Sequence, residues 1–174
     1  MKSLTALLLL TSVLLLAAPA APQPVVGPGS VFRAVLTGPQ ETPAILSEAT
    51  GRFRAELGDS SLTYELSYSG LPTQVMVAHI HIGQRNVAGA VTVFLCGGGG
   101  RADCPSPDGT VTGTITAADV LAIPAQELDA GDFATLLHAM QEGLTYANVH
   151  TMAHPGGEIR GQIRPARGGA QEAR

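Results

Sequence analysis

Apolar and polar positions alternate with a period of two over most of this chain. In "SLTYELSYSG", Leu62, Tyr64, Leu66 and Tyr68 fall on one side and Thr63, Glu65 and Ser67 on the other, the pattern of a strand with one buried face. Runs of the same kind occur at Val31–Thr37, Thr50–Leu57, Val75–Ile82, Val91–Cys96, Thr110–Thr116, Thr145–Thr151 and Glu158–Arg164. Turn-forming intervals such as "LGDSS" and "PSPDG" separate most of them. About eight short strands with this punctuation predict an all-β fold, an antiparallel Greek-key-like β-sandwich.

One segment departs from the alternation. In "DAGDFATLLHAMQEG", residues 129–143, Phe133, Leu136, Leu137 and Met140 recur at helical spacing. Asp132 is placed to cap the N-terminus and Gly143 to stop the C-terminus. The expectation is one short helix before the last strands, with His138 off its apolar stripe and facing solvent. "FRA-x-L" occurs at Phe32–Leu36 and again at Phe53–Leu57. Two copies are too few for a repeat architecture and read as ordinary amphipathic strands.

The ends differ in composition from the middle. Residues 1–20 have the layout of a secretory signal peptide, with Lys2, an apolar run from Leu4 to Leu16, and Ala18-Pro19-Ala20 as a cleavage site. Residues 21–30 are Pro/Gly-rich and read as a flexible linker, 31–165 as the folded domain, and 166–174 as a disordered tail. The apolar run is short for a membrane span and no second one follows. The expectation is a secreted or periplasmic protein without a membrane span.

Charge narrows the function classes. With Lys2 in the leader, nine arginines remain against fourteen acidic residues. That balance, with few aromatics and no tryptophan, excludes nucleic acid as the expected partner. A lysine-free mature chain also excludes Schiff-base chemistry and a phosphate-loop lysine. "GGGG" at 97–100 therefore reads as a hairpin tip. No G-x-S-x-G elbow is present, and no carboxylate pair is brought together by sequence alone. No catalytic residue is assigned, and the chain is read as a non-enzyme. Cys96 and Cys104, the only cysteines, are close together and predict a disulfide in an exported protein.

The histidines carry the remaining chemistry. In "AHIHIG", His79 and His81 are two apart and share one strand face. His150 lies in the strand "YANVHT", and His154 follows before Pro155. H-x-H with H-x₃-H can supply three or four imidazoles to one ion, a donor set that suits copper or zinc. The competing reading is a set of histidines hydrogen-bonded at a sheet edge. In "HPGGEIRGQIRP", Glu158 and Arg160 share a face. They read either as a cross-strand ion pair worth under ~1 kcal/mol or as outer partners orienting a histidine ligand.

The segments "LTGPQETP" (36–43), "ATG" (49–51), "AHIHIG" (78–83), "YANVHT" (146–151) and "GGEIRGQI" (156–163) together resemble the CHRD domain. That domain is named for chordin, where copies stand between other modules, and it also occurs alone in exported bacterial proteins. The resemblance covers about residues 31–165. It implies a β-sandwich of about eight strands and singles out His79, His81, His150, Glu158 and Arg160. The H-x-H strand and the closing glycine-arginine strand are also faintly similar to copper/zinc superoxide dismutases. The zinc loop of that family and a cysteine in its closing strand have no counterpart here.

The leading expectation is thus a secreted, non-catalytic CHRD-domain module that binds or supports an extracellular protein or surface partner the sequence does not name. The alternative is a metalloprotein with copper or zinc on His79, His81, His150 and His154, serving metal handling or redox protection. Elemental analysis of the purified protein separates the two.

Overall fold

A computed structural model describes residues 26–166. The signal peptide expected over 1–20, the first half of the expected linker and the tail from 167 lie outside the described residues.

The strands form where the alternation predicts them. They are β1 (Val31–Thr37), β2 (Thr50–Leu57), β3 (Leu62–Ser69), β4 (Val75–Ile82), β5 (Ala90–Cys96), β6 (Gly109–Ile115), β7 (Thr145–Thr151), β8 (Ile159–Gln162) and the two-residue β9 (Arg164–Pro165). All pairings are antiparallel, as the all-β expectation required. The hydrogen-bonded order is β5-β4-β7-β8-β1-β2-β3-β6, with β9 beside β1. The ladder is one path, but β8 meets β1 only at Thr37 opposite Arg160. β9 continues the same register along β1, with Arg33 opposite Arg164 and Phe32 opposite Pro165. At this seam two four-stranded leaves, β5-β4-β7-β8 and β1-β2-β3-β6, join and curl over each other into a nearly barrel-shaped sandwich.

The leaf β1-β2-β3-β6 follows the period-two rule. Phe32, Ala34 and Leu36 of β1, Phe53, Ala55 and Leu57 of β2, and Leu62, Tyr64, Leu66 and Tyr68 of β3 are buried, while residues between them mostly face solvent. Across the core they meet Ala78, Ile80, Val93, Leu95, Ala147, Val149 and Ile159 of the other leaf. Tyr64 fastens the free end of the sandwich by donating its hydroxyl to the Leu95 carbonyl at 2.7 Å.

The helix α1 spans Phe133–Gln141. Asp132 caps it by accepting from the Thr135 N–H at 3.0 Å, and Gly143 follows with φ +66°. Leu136 and Met140 join the core, and His138 is exposed, as the spacing predicted. Cys96, ending β5, is bonded to Cys104. Closing a loop of that length contributes about 2–3 kcal/mol by the chain-entropy account.

The second leaf does not alternate. From Ala78 to His81 every residue is buried, as are Thr145–Val149 and all of β8. One face of these strands is the core; the other is polar and covered by loops. The polar face holds the site.

Candidate metal centre

Register fixes which side chains meet. His79 lies opposite Asn148 and His81 opposite Tyr146 across β4 and β7, and Val77 lies opposite His150. Asn148 in turn lies opposite Arg160 across β7 and β8. Residues directly opposite share a face, so His79, His81, Tyr146, Asn148, His150 and Arg160 project together, away from the apolar core. Against β5 the register slips between Ala78 and His79 and again between Ile80 and His81. These bulges flank both histidines, and irregularities of this kind re-aim side chains beside sites.

His79, His81 and His150 each offer a ring nitrogen, and the three nitrogens lie within 4.8 Å of one another. The two strand histidines are nearly closed to solvent, at 6% and 7% exposure. Nε2 of His81 is 2.9 Å from Nδ1 of His79 and 3.1 Å from Oδ1 of Asn148. Nδ1 of His79 is also 3.1 Å from that oxygen. Phe94 of β5 packs edge-on against His79, with ring centroids 5.4 Å apart.

Backbone carbonyls set the tautomers. Nδ1 of His81 lies 2.9 Å from the Gly89 carbonyl, and Nδ1 of His150 lies 2.8 Å from the Pro155 carbonyl. A carbonyl only accepts, so each Nδ1 carries the proton and each Nε2 keeps its lone pair. The Nε2 of His150 is buried with no hydrogen-bond partner. Leaving a buried polar atom unpaired costs about 1–3 kcal/mol. Metal-ligating histidines ordinarily donate their other ring N–H to an acceptor of this kind.

Burial disfavours the charged form of all three rings. Burial, with His150 and His81 close by, pushes His79 down to about 3. Burial likewise holds His81 at about 4, against the Gly89 carbonyl. His150 is lowered by burial, with the Pro155 carbonyl opposing. Neutral imidazole is the ligating form.

Loops cover the cluster. Gly89 touches both members of a stack, accepting from His81 and donating its N–H to the Tyr146 hydroxyl at 3.1 Å. The rings of His81 and Tyr146 lie parallel, 4.6 Å apart. A Cβ on Gly89 would stand 1.7 Å from the Ile82 carbonyl oxygen, so only glycine permits this approach. The Arg160 guanidinium lies 3.4 Å from the Tyr146 ring centroid, a cation–π contact. It also donates to the carbonyls of Gln84 and Val87. Glu41, buried in the loop after β1, accepts from Nδ2 of Asn148 at 3.4 Å, and burial raises its pKa.

The structure therefore brings together His79, His81 and His150 and leaves His154 aside. The backbone of His154 closes a turn, donating to Thr151 and accepting from the Gly157 N–H. That turn presents the Pro155 carbonyl to His150, where an extended H-x₃-H would have presented an imidazole. Glu158 and Arg160 form no ion pair. Glu158, fully buried just before β8, accepts from the hydroxyls of Ser47 and Thr151 at 2.7 and 2.6 Å. Arg160 reaches the cluster through Tyr146. Sequence reasoning missed Asn148, Tyr146 and Glu41. The first two stand at i−2 and i−4 from His150 on its own strand face, so the period-two rule carried their signal. Glu41 had no periodic signal, because its loop docks over a hundred residues away; only its place in the segment "LTGPQETP" pointed to it.

Fold and site define a class: an antiparallel β-sandwich whose outer polar face gathers three histidines, two buried and one half-buried, under its loops. Residues 32–163 match the CHRD domain family, most of the chain, and the protein belongs to that family. No curated protein and no solved structure matches it. Four of the five segments that carried the resemblance meet at this one place, supplying Glu41, His79, His81, Asn148, His150 and Arg160.

Proposed function

We propose that this CHRD domain is an extracytoplasmic, non-catalytic metal-binding module that holds one copper or zinc ion on His79, His81 and His150. The observation that carries the reading is the pair of carbonyl-fixed imidazoles, one with an Nε2 buried and unpartnered. Imidazole donors without thiolate suit zinc and copper(II). Near-complete burial of His79 and His81 supports an ion that is held rather than presented to a substrate, since catalytic sites keep an open position. The ion would tie the Gly89 and Pro155 loops to β4 and β7 through the histidines they already contact. A disulfide accords with an oxidising compartment.

Thermal unfolding of the metal-free protein with and without added copper(II) or zinc tests this. A ligand bound only by the folded state stabilises it, by about 2.7 kcal/mol at a hundredfold excess over Kd. A raised midpoint in the native protein, absent from a folded His79→Ala/His81→Ala variant, supports the module. An unchanged midpoint with both metals contradicts it.

A further inference from the structure

We propose that Oδ1 of Asn148 is a fourth ligand, that Glu41 positions it, and that the donor set is built for tetragonal copper(II) rather than tetrahedral zinc. This rests on the three-histidine reading and names the ion and the residue that complete it.

Proton accounting leads to Asn148. His79 Nδ1, His81 Nε2 and Asn148 Oδ1 form a triangle with sides of 2.9, 3.1 and 3.1 Å. His81 spends its proton on the Gly89 carbonyl, and the amide oxygen has none. The one proton available to the triangle is on His79. It can serve the edges that meet at His79, and the edge between His81 Nε2 and Asn148 Oδ1 remains acceptor against acceptor. A cation capping the triangle requires the His79 proton to sit on Nε2, outside the triangle, and the cation then meets one lone pair at each of the three corners. Asn148 is held in this orientation because its Nδ2 is directed at Glu41, leaving Oδ1 toward the histidines. The Glu41 loop is tightly fitted: a Cβ on Gly157, where φ is +119°, would stand 2.5 Å from Oε1 of Glu41 and 3.0 Å from Nδ2 of Asn148. Glycine there lets the carboxylate and amide meet.

Spacing leads to copper. Two donors on one ion at ~2.0–2.1 Å stand about 3.3–3.4 Å apart at the tetrahedral angle of a zinc site, and about 2.8–3.0 Å apart at a right angle. The 2.9 Å edge matches the second value, and the two 3.1 Å edges fall between the two, nearer the second. Right-angled nitrogen and oxygen donors are the tetragonal arrangement of copper(II).

The experiment titrates the metal-free full chain with copper(II), and separately with zinc, against a competing chelator, and records the copper electron paramagnetic resonance spectrum. One copper(II) per chain is expected, with an axial spectrum and nitrogen hyperfine structure, and with copper bound more tightly than zinc. Asn148→Ala keeps the copper but weakens it on the order of 100-fold and changes the axial parameters. Asn148→Asp, which retains an oxygen donor and adds charge, binds more tightly than Asn148→Ala and at least as tightly as the native protein. It is informative even if the alanine variant does not fold. Glu41→Ala weakens copper about tenfold, as loss of an outer partner does, and Glu41→Gln restores it. Copper bound in Asn148→Ala with unchanged affinity and spectrum overturns the fourth ligand and leaves the three-histidine centre standing. Zinc bound more tightly than copper(II) overturns the choice of ion. No metal bound by the native chain removes the centre itself.

Discussion

The two leaves of the sandwich use their outer faces in opposite ways. On β1-β2-β3-β6 the outward residues are mostly arginines, glutamates, serines and threonines in contact with water, with the exposed Val35 among them, and β1, β2 and β3 each show one buried face. On β4, β7 and β8 the outward residues include His79, His81, Tyr146, Asn148, Arg160 and Gln162, which are buried, and His150, which is half-buried. The first leaf is stabilised by area: Phe32, Phe53, Leu36, Leu62 and Leu66 are fully enclosed, each worth roughly 1.5–3 kcal/mol of transfer free energy. The second carries an apolar face toward the core, with Ala78, Ile80, Val93, Leu95, Ala147, Val149 and Ile159, and a second, polar layer under loops. Polar groups removed from water are costly unless partnered, so this layer is either fully bonded or built for a ligand. It is almost fully bonded: Gln162 donates to the carbonyls of Gly83 and Gly143, Arg160 to two carbonyls, and His81 to one. The exception in the cluster is Nε2 of His150. The lesson is that a buried outer face on a sheet, with one lone pair left over, marks the site more sharply than any surface depression does.

Substitutions placed in one leaf at a time sharpen that contrast. Phe53→Ala, in the leaf held by area, is expected to lower stability by about 3–5 kcal/mol in chemical denaturation, while the folded fraction still binds metal with native stoichiometry. Loss of metal binding from folded Phe53→Ala protein would mean that the leaves are not separable in this way.

Next in size is the pH dependence of the metal-free protein, which belongs to the second leaf. Unfolded histidines titrate near 6.5, whereas His79 and His81 in the fold titrate at about 3 and about 4. Between those values the unfolded chain binds more protons than the native one, so stability rises with pH across the window. It is fully present above about 6.5 and is lost as pH falls through the folded values. Glu41, whose pKa burial raises, acts in the opposite sense near its own titration. Denaturation midpoints from pH 7.5 to 5.0 should fall steeply in the native chain and more shallowly in a folded His79→Ala/His81→Ala variant. Equal slopes would contradict the buried neutral pair.

The smallest effect belongs to the exposed face of the first leaf. Arg54 and Glu56 form an ion pair at 2.6 Å with both side chains nearly half exposed. Such pairs are worth about 0.2–1 kcal/mol. Arg54→Ala is expected to shift the denaturation midpoint by no more than that, with metal binding unchanged.

The strands of both leaves were legible because strand geometry is local. Leu62, Tyr64, Leu66 and Tyr68 announce their face by spacing alone, and Asp132 and Gly143 announce the ends of the helix. The face shared by His79 and His81 was legible for the same reason. Its burial was not, because an alternating strand with polar residues outward reads as solvated. The cover comes from elsewhere: Glu41 lies ahead of β2, Gly89 between β4 and β5, and Pro155 after β7. Docking of those loops is a tertiary event with no periodic signal. The same holds for His154, which sits at the right count from His150 for a ligand and is turned aside by hydrogen bonds within the 151–157 turn. The Glu158–Arg160 pairing failed differently. Both residues do share a side, but hydroxyls and carbonyls satisfy each of them first.

The most direct test is elemental analysis of the protein purified without chelator or affinity tag. About one copper or zinc per chain, absent from a folded His79→Ala/His81→Ala variant, is the predicted result. A folded native protein that carries no metal, and takes up neither copper nor zinc when supplied, would contradict the metal centre.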